Sequence, residues 1–202
     1  MDTSTTVLGH ETNVPIFVAP AAMVKLIHPD GEKAIARGCM RGKIPQGIST
    51  NASFPVEEIV TSVPGGEHAF FFQLYVNKDR SKSEELLRHV RSLGIDTILV
   101  TVDAPMPGKR EADERVKMDE SLSTPMSGQK GSNDRRGGGI GRLMGGYIAP
   151  DFTWDEFRWI RKHWDGKVVA KGVQSWQDAK MCAEVGLDGV LLSNHGGRNL
   201  DT

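Results

Sequence analysis

Residues that could act directly on a substrate lie near the end of the 202-residue chain, in the segment SNHGGRNLD. His195 and Arg198 follow the apolar run GVLL, and Lys171 stands in the preceding apolar run, VVAKGV. An imidazole can move protons, and a guanidinium can bind a carboxylate with a planar fork of donors. Gly196 and Gly197 permit a tight turn between the histidine and the arginine. The spacing therefore indicates a catalytic site.

Such a site needs elements that bring distant residues together, and short apolar runs rich in β-branched residues supply them. We predict strands at 15–20, 45–50, 69–76, 97–105, 167–173 and 189–195. Amphipathic segments alternate with these runs, which is typical of βα units and a parallel sheet. The fold class is therefore predicted as α/β, of the (β/α)8 TIM-barrel type, with about six of the eight units present.

Polar residues stand at the ends of five of these strands: Ser49 and Thr50, Gln73 and Tyr75, Thr101 and Asp103, Lys171, and His195. In a (β/α)8 barrel the carboxyl ends of the strands meet at one mouth, where active sites of this fold lie. A single Thr or Asp at such a place is more often a cap or turn residue, and a lone His is more often structural. Five strands in succession favour a site.

Three helices have clear boundaries. One begins after Asp79 and ends at Gly94, and another begins after Ser175 and ends at Gly186. A third is predicted from about 153 to 164, with Thr153 as its cap and Glu156 as the partner in a capping box. We expect the tryptophans of this helix to pack against the core and not to contact a ligand.

The region from 106 to 150 has no periodic apolar pattern and is rich in Gly, Ser and Arg. We expect a long mobile loop within one partial barrel domain over 1–202. Its DRRGGGIGR run is short and lacks aromatic residues, so it is weak support for nucleic-acid binding. Its glycines also lack the spacing of a dinucleotide fingerprint.

Composition excludes several classes of function. The formal net charge is −1, which gives no general attraction to nucleic acid or an anionic membrane. Cys39 and Cys182 lie far apart without clustered histidines, so neither a disulfide framework nor a metal site is expected. No apolar run approaches the length of a membrane span. We expect an intracellular protein, of the cytoplasm or the mitochondrion, without a membrane or nucleic-acid partner.

Several motifs, in order along the chain, resemble the FMN-dependent L-2-hydroxy acid dehydrogenases and oxidases. They are QLYVNKDR, VTVDAPMPGKRE, VAKGV and SNHGGRNLD. The ISTNAS stretch and the long fourth loop are most similar to the flavocytochrome-type L-lactate dehydrogenase (cytochrome) branch. The resemblance implies a flavoprotein oxidoreductase that oxidises an L-2-hydroxy acid to the 2-keto acid, with L-lactate as the first candidate substrate. Electrons would pass to FMN and then to an acceptor such as cytochrome c, in a homo-oligomer in the full-length form.

The resemblance also assigns roles to residues of this chain. His195 corresponds to the catalytic base and Asp103 to its carboxylate partner. Substrate-binding residues would be Tyr75, Arg110 and Arg198. Cofactor-binding residues would be Ala19, Pro20, Ala21, Ser49, Gln73, Thr101 and Lys171, with Lys171 at the N1–C2 carbonyl edge of FMN.

The chain stops after the sixth predicted strand and begins just before the first. We therefore expect strands seven and eight, which usually supply the phosphate-binding loops, to be missing. An unclosed sheet exposes edges and apolar side chains, so the chain alone is expected to be unstable, to aggregate or to need a partner. Three alternatives stay open: a catalytically silent truncated barrel acting in assembly, a glycolate-type oxidase using oxygen, and a barrel enzyme of another flavin or phosphate-ligand class.

Overall fold

The computed structural model of the chain describes residues 2–65, 68–106, 115–117, 119–133 and 145–199. A short antiparallel hairpin comes first, with β1 at Thr5–Val7 and β2 at His10–Thr12. Six strands then form one parallel sheet: β3 Val18–Ala21, β4 Gln46–Ser49, β5 Phe70–Leu74, β6 Thr97–Thr101, β9 Lys167–Val173 and β10 Gly189–Leu192. Between β6 and β9 lies a second hairpin, β7 Ser123–Thr124 and β8 Gln129–Lys130.

The order of the six-stranded sheet is β10-β9-β6-β5-β4-β3, so each strand pairs with its neighbours in the chain order of the βα units. All six predicted strands and the parallel sheet are confirmed, although most of the strands are shorter than predicted. The last strand ends at Leu192, and His195 lies outside it with a left-handed backbone conformation (φ 61°). A left-handed residue cannot continue a strand.

Helices connect the strands: α1 Gly31–Gly42, α2 Val56–Thr61, α3 Arg80–Ser92, α4 Asp155–His163 and α5 Trp176–Glu184. Two predicted caps are confirmed. The Asp79 carboxylate accepts the Ser81 backbone N–H, and the Ser175 hydroxyl accepts the Asp178 backbone N–H. Both caps satisfy backbone donors that a helix start leaves free.

The predicted cap at Thr153 is wrong. The cap position of α4 is Trp154, which makes no side-chain capping bond. The Glu156 carboxylate, expected to complete a capping box, instead accepts a hydrogen bond from Arg80 Nε at 3.1 Å. This charge-assisted bond joins α4 to α3 and is stronger than a bond to a neutral cap. The expectation for the tryptophans is confirmed, because Trp154, Trp159 and Trp164 pack against the main core.

The two faces of the sheet bury different groups because side chains alternate along each strand. Outward residues such as Phe72, Ile98 and Val168 join the helices in the main apolar core. Inward residues form a smaller apolar cluster of Phe71, Leu99 and Val169 near the amino ends of the strands. Toward the carboxyl ends the inward positions become polar. The barrel interior thus has an apolar floor beneath a polar mouth.

The β1–β2 hairpin, which the sequence did not predict, covers this apolar floor. Val7 and Leu8 pack against the inward cluster, and His10 Nε2 lies 2.8 Å from Asp96 Oδ1 at the start of β6. The Lys167 ammonium also donates to the Leu8 carbonyl. These contacts hold the hairpin at the end of the sheet opposite the polar mouth.

Strands β3 and β10 form the edges of the sheet, and large apolar side chains lie exposed there. Leu192 of β10 is 71% exposed, and Ile16, just before β3, is 56% exposed. Within the described part of the chain, no helix is both long and apolar enough to cross a membrane.

Candidate active site

Three side chains form a hydrogen-bonded chain at the polar mouth. His195 Nδ1 lies 2.8 Å from Asp103 Oδ1, and His195 Nε2 lies 3.1 Å from the Tyr75 hydroxyl. A carboxylate only accepts hydrogen bonds, so Nδ1 of a neutral imidazole carries the proton and Nε2 keeps its lone pair. The Tyr75 hydroxyl then donates to Nε2. This arrangement presents an oriented base at the mouth of the barrel.

The turn that carries His195 is left-handed over three residues. His195, Gly196 and Gly197 have φ values of 61°, 65° and 76°. The Ser193 hydroxyl accepts the His195 backbone N–H, and the Asn194 side-chain oxygen accepts that of Gly197. Glycine adopts this conformation without steric penalty, which explains the two glycines of the segment. The turn therefore fixes the backbone from which the imidazole projects.

A second network of polar side chains lies at the same mouth, on the carboxyl ends of β4, β5 and β6. The Gln73 amide oxygen accepts from the Ser49 hydroxyl at 3.1 Å, and its amide nitrogen donates to the Thr101 hydroxyl at 2.8 Å. All three side chains are buried. The network connects three neighbouring strands, β4, β5 and β6, and fixes the rotamer of each side chain. A planar polar ligand would find pre-oriented donors and acceptors here.

Lys171 projects inward from β9 beside this network and is 8% exposed. Burial disfavours the charged ammonium and lowers the pKa of Lys171, while the nearby Asp103 carboxylate partly opposes this shift. A buried cation in a polar mouth is a feature of sites that bind or stabilise negative charge.

We expect Lys171→Met to raise the free energy of unfolding of the ligand-free protein by about 1 kcal/mol at pH 7, because it removes a buried charge and keeps the side-chain length. The folded state holds the Lys171 proton less tightly than the unfolded state. Wild-type stability therefore rises with pH from the lowered pKa toward 10.5, and the advantage of the variant shrinks over that range.

Urea unfolding at pH 7 and pH 10 measures this effect. Lys180→Met is the matched control, because Lys180 lies exposed on α5 and should contribute little at either pH. A Lys171→Met variant that is less stable than wild type at pH 7 would contradict the expectation.

Gly172 is a site residue that the sequence analysis missed. It has a φ of +101°, and a Cβ at this position would lie 2.3 Å from Asp103 Cγ. Only a residue without a side chain lets the Asp103 carboxyl pack so closely against β9. The position of Asp103, and through it that of His195, depends on this glycine. The run VAKGV contained the signal, since an isolated glycine in a strand indicates a close approach.

Glu32 was also missed, because its place at the start of a helix is typical of an exposed acid. It is only 2% exposed, and its Oε1 accepts backbone N–H groups from Val24 at 3.0 Å and Ser53 at 2.9 Å. The Met23 backbone N–H also donates to the Asn51 carbonyl at 3.0 Å. These bonds join the loops that follow β3 and β4, next to the polar mouth.

The remaining predicted residues lie as follows. Arg198 is exposed in the turn after His195. Its guanidinium folds back toward Gly196, since Nη1 would lie 3.5 Å from a Cβ built on that glycine. Ala19, Pro20 and Ala21 form most of the edge strand β3 beside β4. Arg110 lies outside the described residues. The structure thus brings Ser49, Tyr75, Gln73, Thr101, Asp103, Lys171 and His195 to one mouth, and their assigned roles stay predictions.

The profile of the FMN-dependent dehydrogenase family matches residues 1–202. The chain therefore belongs to this family. L-lactate dehydrogenase (cytochrome) of Saccharomyces cerevisiae is 41% identical over 204 residues, which cover 100% of this chain and 34% of that protein. The peroxisomal (S)-2-hydroxy-acid oxidase GLO4 of Oryza sativa subsp. japonica is 36% identical, and the match covers 100% of this chain and 55% of that protein.

Solved structures agree with the predicted fold. The recombinant flavin-binding domain of baker's yeast flavocytochrome b2 superposes with a TM-score of 0.80 at 39% identity, over 99% of this chain and 46% of that chain. Mandelate oxidase with (S)-4-hydroxymandelic acid gives a TM-score of 0.85 at 32% identity, over 98% of this chain and 56% of that chain. The chain thus spans between a third and somewhat over half of the length of these proteins, and the TIM-barrel class is confirmed.

The residues at the mouth fit FMN, the cofactor of this family. The Gln73 network offers hydrogen-bonding groups in fixed orientations, and Lys171 offers a buried cation beside it. Both features suit the polar edge of an isoalloxazine ring, whose reduced form carries negative charge. The site therefore places the oriented imidazole of His195 at the same mouth as residues that can hold a flavin.

Proposed function

We propose that this chain carries the catalytic base and part of the flavin site of an FMN-dependent enzyme that oxidises an L-2-hydroxy acid to the 2-keto acid. L-lactate is the first substrate we propose and a cytochrome, such as cytochrome c, the first acceptor, because the S. cerevisiae and Wickerhamomyces anomalus relatives are named as L-lactate dehydrogenase (cytochrome). The observation that carries the proposal is the Asp103–His195–Tyr75 chain at the polar mouth.

Oxidation of a 2-hydroxy acid removes two electrons and two protons from the substrate. Nε2 of His195 takes one proton, and Asp103 stabilises the imidazolium that results by accepting from Nδ1. When bound, FMN would accept the electron pair together with the second proton. The Tyr75 hydroxyl, which donates to Nε2, is placed to transfer its hydrogen bond to the substrate as the base becomes protonated. Arg198 and Arg110 are proposed to bind the substrate carboxylate.

An absorbance spectrum tests this proposal. Where the purified protein binds added FMN, we expect the visible flavin band to bleach when L-lactate is added without oxygen. FMN that binds but keeps its band with L-lactate, glycolate and other L-2-hydroxy acids would contradict the proposal.

A second candidate, an oxidase that uses oxygen, is supported by the Oryza sativa relatives named as 2-hydroxy-acid and glycolate oxidases. The same bleached sample distinguishes the two acceptors. Rapid return of the flavin band on adding cytochrome c supports the dehydrogenase, whereas equally rapid return on adding oxygen supports the oxidase.

A further inference from the structure

Asp103 and His195, the hydrogen-bonded pair at the mouth, follow strands that are not neighbours in the sheet. β9 lies between β6, which precedes Asp103, and β10, which precedes His195. Neighbouring strands lie about 4.8 Å apart, so β6 and β10 lie roughly 10 Å from each other. A backbone hydrogen bond cannot span that distance. Side chains that reach across the end of β9 must therefore fix the position of Asp103 relative to His195.

Asn199 supplies such a side chain. Its amide Nδ2 donates a hydrogen bond to the backbone carbonyl of Asp103 at 2.6 Å. Its own backbone N–H donates to the Asn194 carbonyl at 3.1 Å, which closes the left-handed turn that carries His195. Asn199 therefore belongs to the turn of the base and also holds the residue that orients the base.

Two hydrogen bonds of different kinds thus join this turn to Asp103. His195 Nδ1 bonds to the carboxylate atom Oδ1, and Asn199 bonds to the backbone carbonyl of the same residue. The other carboxylate oxygen, Oδ2, is buried and makes no hydrogen bond within the described part of the chain. A carboxylate held by one side-chain bond still moves when its backbone moves. The bond from Asn199 restricts that motion, because it holds the backbone from which the carboxylate projects.

We propose that Asn199 is a positioning residue for the base, which keeps Asp103 and His195 in register across β9. This inference rests on the proposed function, since it takes His195 to be the base. Asn199 acts through Asp103 and takes no part in the transfer of protons or electrons. When His195 gains a proton, the Asp103 carboxylate must stay within hydrogen-bonding distance of Nδ1 to stabilise the imidazolium. A displacement of about 1 Å in such an arrangement slows a reaction by up to about 100-fold.

Asn199→Leu tests the proposal, because leucine has a similar volume and no hydrogen-bond donor. The first readout is the His195 Nδ1 proton resonance, measured by NMR without FMN or substrate. We expect this proton to exchange with water about tenfold faster in the variant, since exchange requires its hydrogen bond to open. The second readout is stopped-flow reduction of the FMN-loaded protein by L-lactate. We expect the limiting rate to fall about tenfold and the substrate dissociation constant to stay unchanged.

Two further variants separate positioning from a general loss of stability. Asn199→Gln carries the same amide on a side chain one methylene longer, and it should restore most of the slow exchange and of the limiting rate. Asn13→Leu is the matched control, because Asn13 Nδ2 also donates to a backbone carbonyl far along the chain, that of Gly42, at 3.1 Å. It should leave both readouts at wild-type values. If Asn199→Leu does not fold, Asn199→Asp takes its place, because aspartate has the same size and no donor.

A wild type without the Nδ1 resonance would overturn the proposal, and so would slow exchange that persists in Asn199→Leu. A normal limiting rate in that variant would also overturn it. Slower reduction that comes only from weaker substrate binding would place Asn199 with Arg198 and would contradict the proposal as well. Bleaching of wild-type FMN by L-lactate decides the proposed function separately, because the exchange measurement needs neither FMN nor substrate.

Discussion

His195→Gln is expected to bind FMN like the wild type and to slow flavin reduction by L-2-hydroxy acids by about 10³–10⁴-fold. Glutamine has a polar side chain of similar length, so its amide can still hydrogen-bond to Asp103 and Tyr75. It has no lone pair basic enough to take a proton at neutral pH. Stopped-flow absorbance of the flavin band measures the rate, and fluorescence quenching of FMN measures binding.

His89→Gln is the matched control for this variant. His89 lies exposed on α3, and among the described residues its side chain hydrogen-bonds to the Glu57 carboxylate, far from His195 at the polar mouth, so its replacement should leave flavin reduction unchanged. Near-normal reduction by His195→Gln, with the control also normal, would remove His195 from the role of base.

Gly172→Ala is expected to lower the free energy of unfolding by about 2–3 kcal/mol and to slow flavin reduction by about 100-fold. Two effects add here. An alanine at φ +101° is strained, and its Cβ would lie 2.3 Å from Asp103 Cγ, so the carboxyl must move. Asp103 holds the Nδ1 side of His195, and its displacement leaves the imidazole without its fixed orientation.

Gly186→Ala separates these two effects. Gly186 has a φ of +76°, and a Cβ there would meet no atom within 4 Å. This control therefore carries the backbone strain, about 1 kcal/mol, without a collision. Urea unfolding compares stabilities, and the His195 Nδ1 proton resonance reports the Asp103 contact. Equal losses in the two variants, with an unchanged resonance, would show that Asp103 does not depend on Gly172.

The parallel sheet and the polar mouth could be predicted from the sequence because both follow from local patterns. Apolar runs mark the strands, and the polar residue at the end of each run points to the shared mouth. Gln73 and Lys171 are inward residues of β5 and β9, and His195 lies in the turn that follows β10. Their convergence needs only the rule that parallel strands present their carboxyl ends together.

Features that depend on contacts between distant residues could not be predicted in the same way. Strands β1 and β2 have three residues each, too few to show a period of two. Glu32 is buried because backbone N–H groups from two other loops turn toward it, and nothing in its own segment records those partners. Tyr147 lies within the aperiodic region at 106–150, so its place beside Tyr75 had no local signal. The close approach of Gly172 to Asp103 is likewise a property of two strands.

The left-handed turn at His195 limits which amino acids evolution can place there, quite apart from any ligand. Gly196 and Gly197 are exposed and adopt φ values that an L-residue reaches only at a cost of about 1–2 kcal/mol each. Any residue other than glycine would therefore be selected against at these two positions, even if neither glycine touches a ligand. In an alignment both would be conserved like ligand contacts, although what conserves them is the left-handed backbone that presents the imidazole.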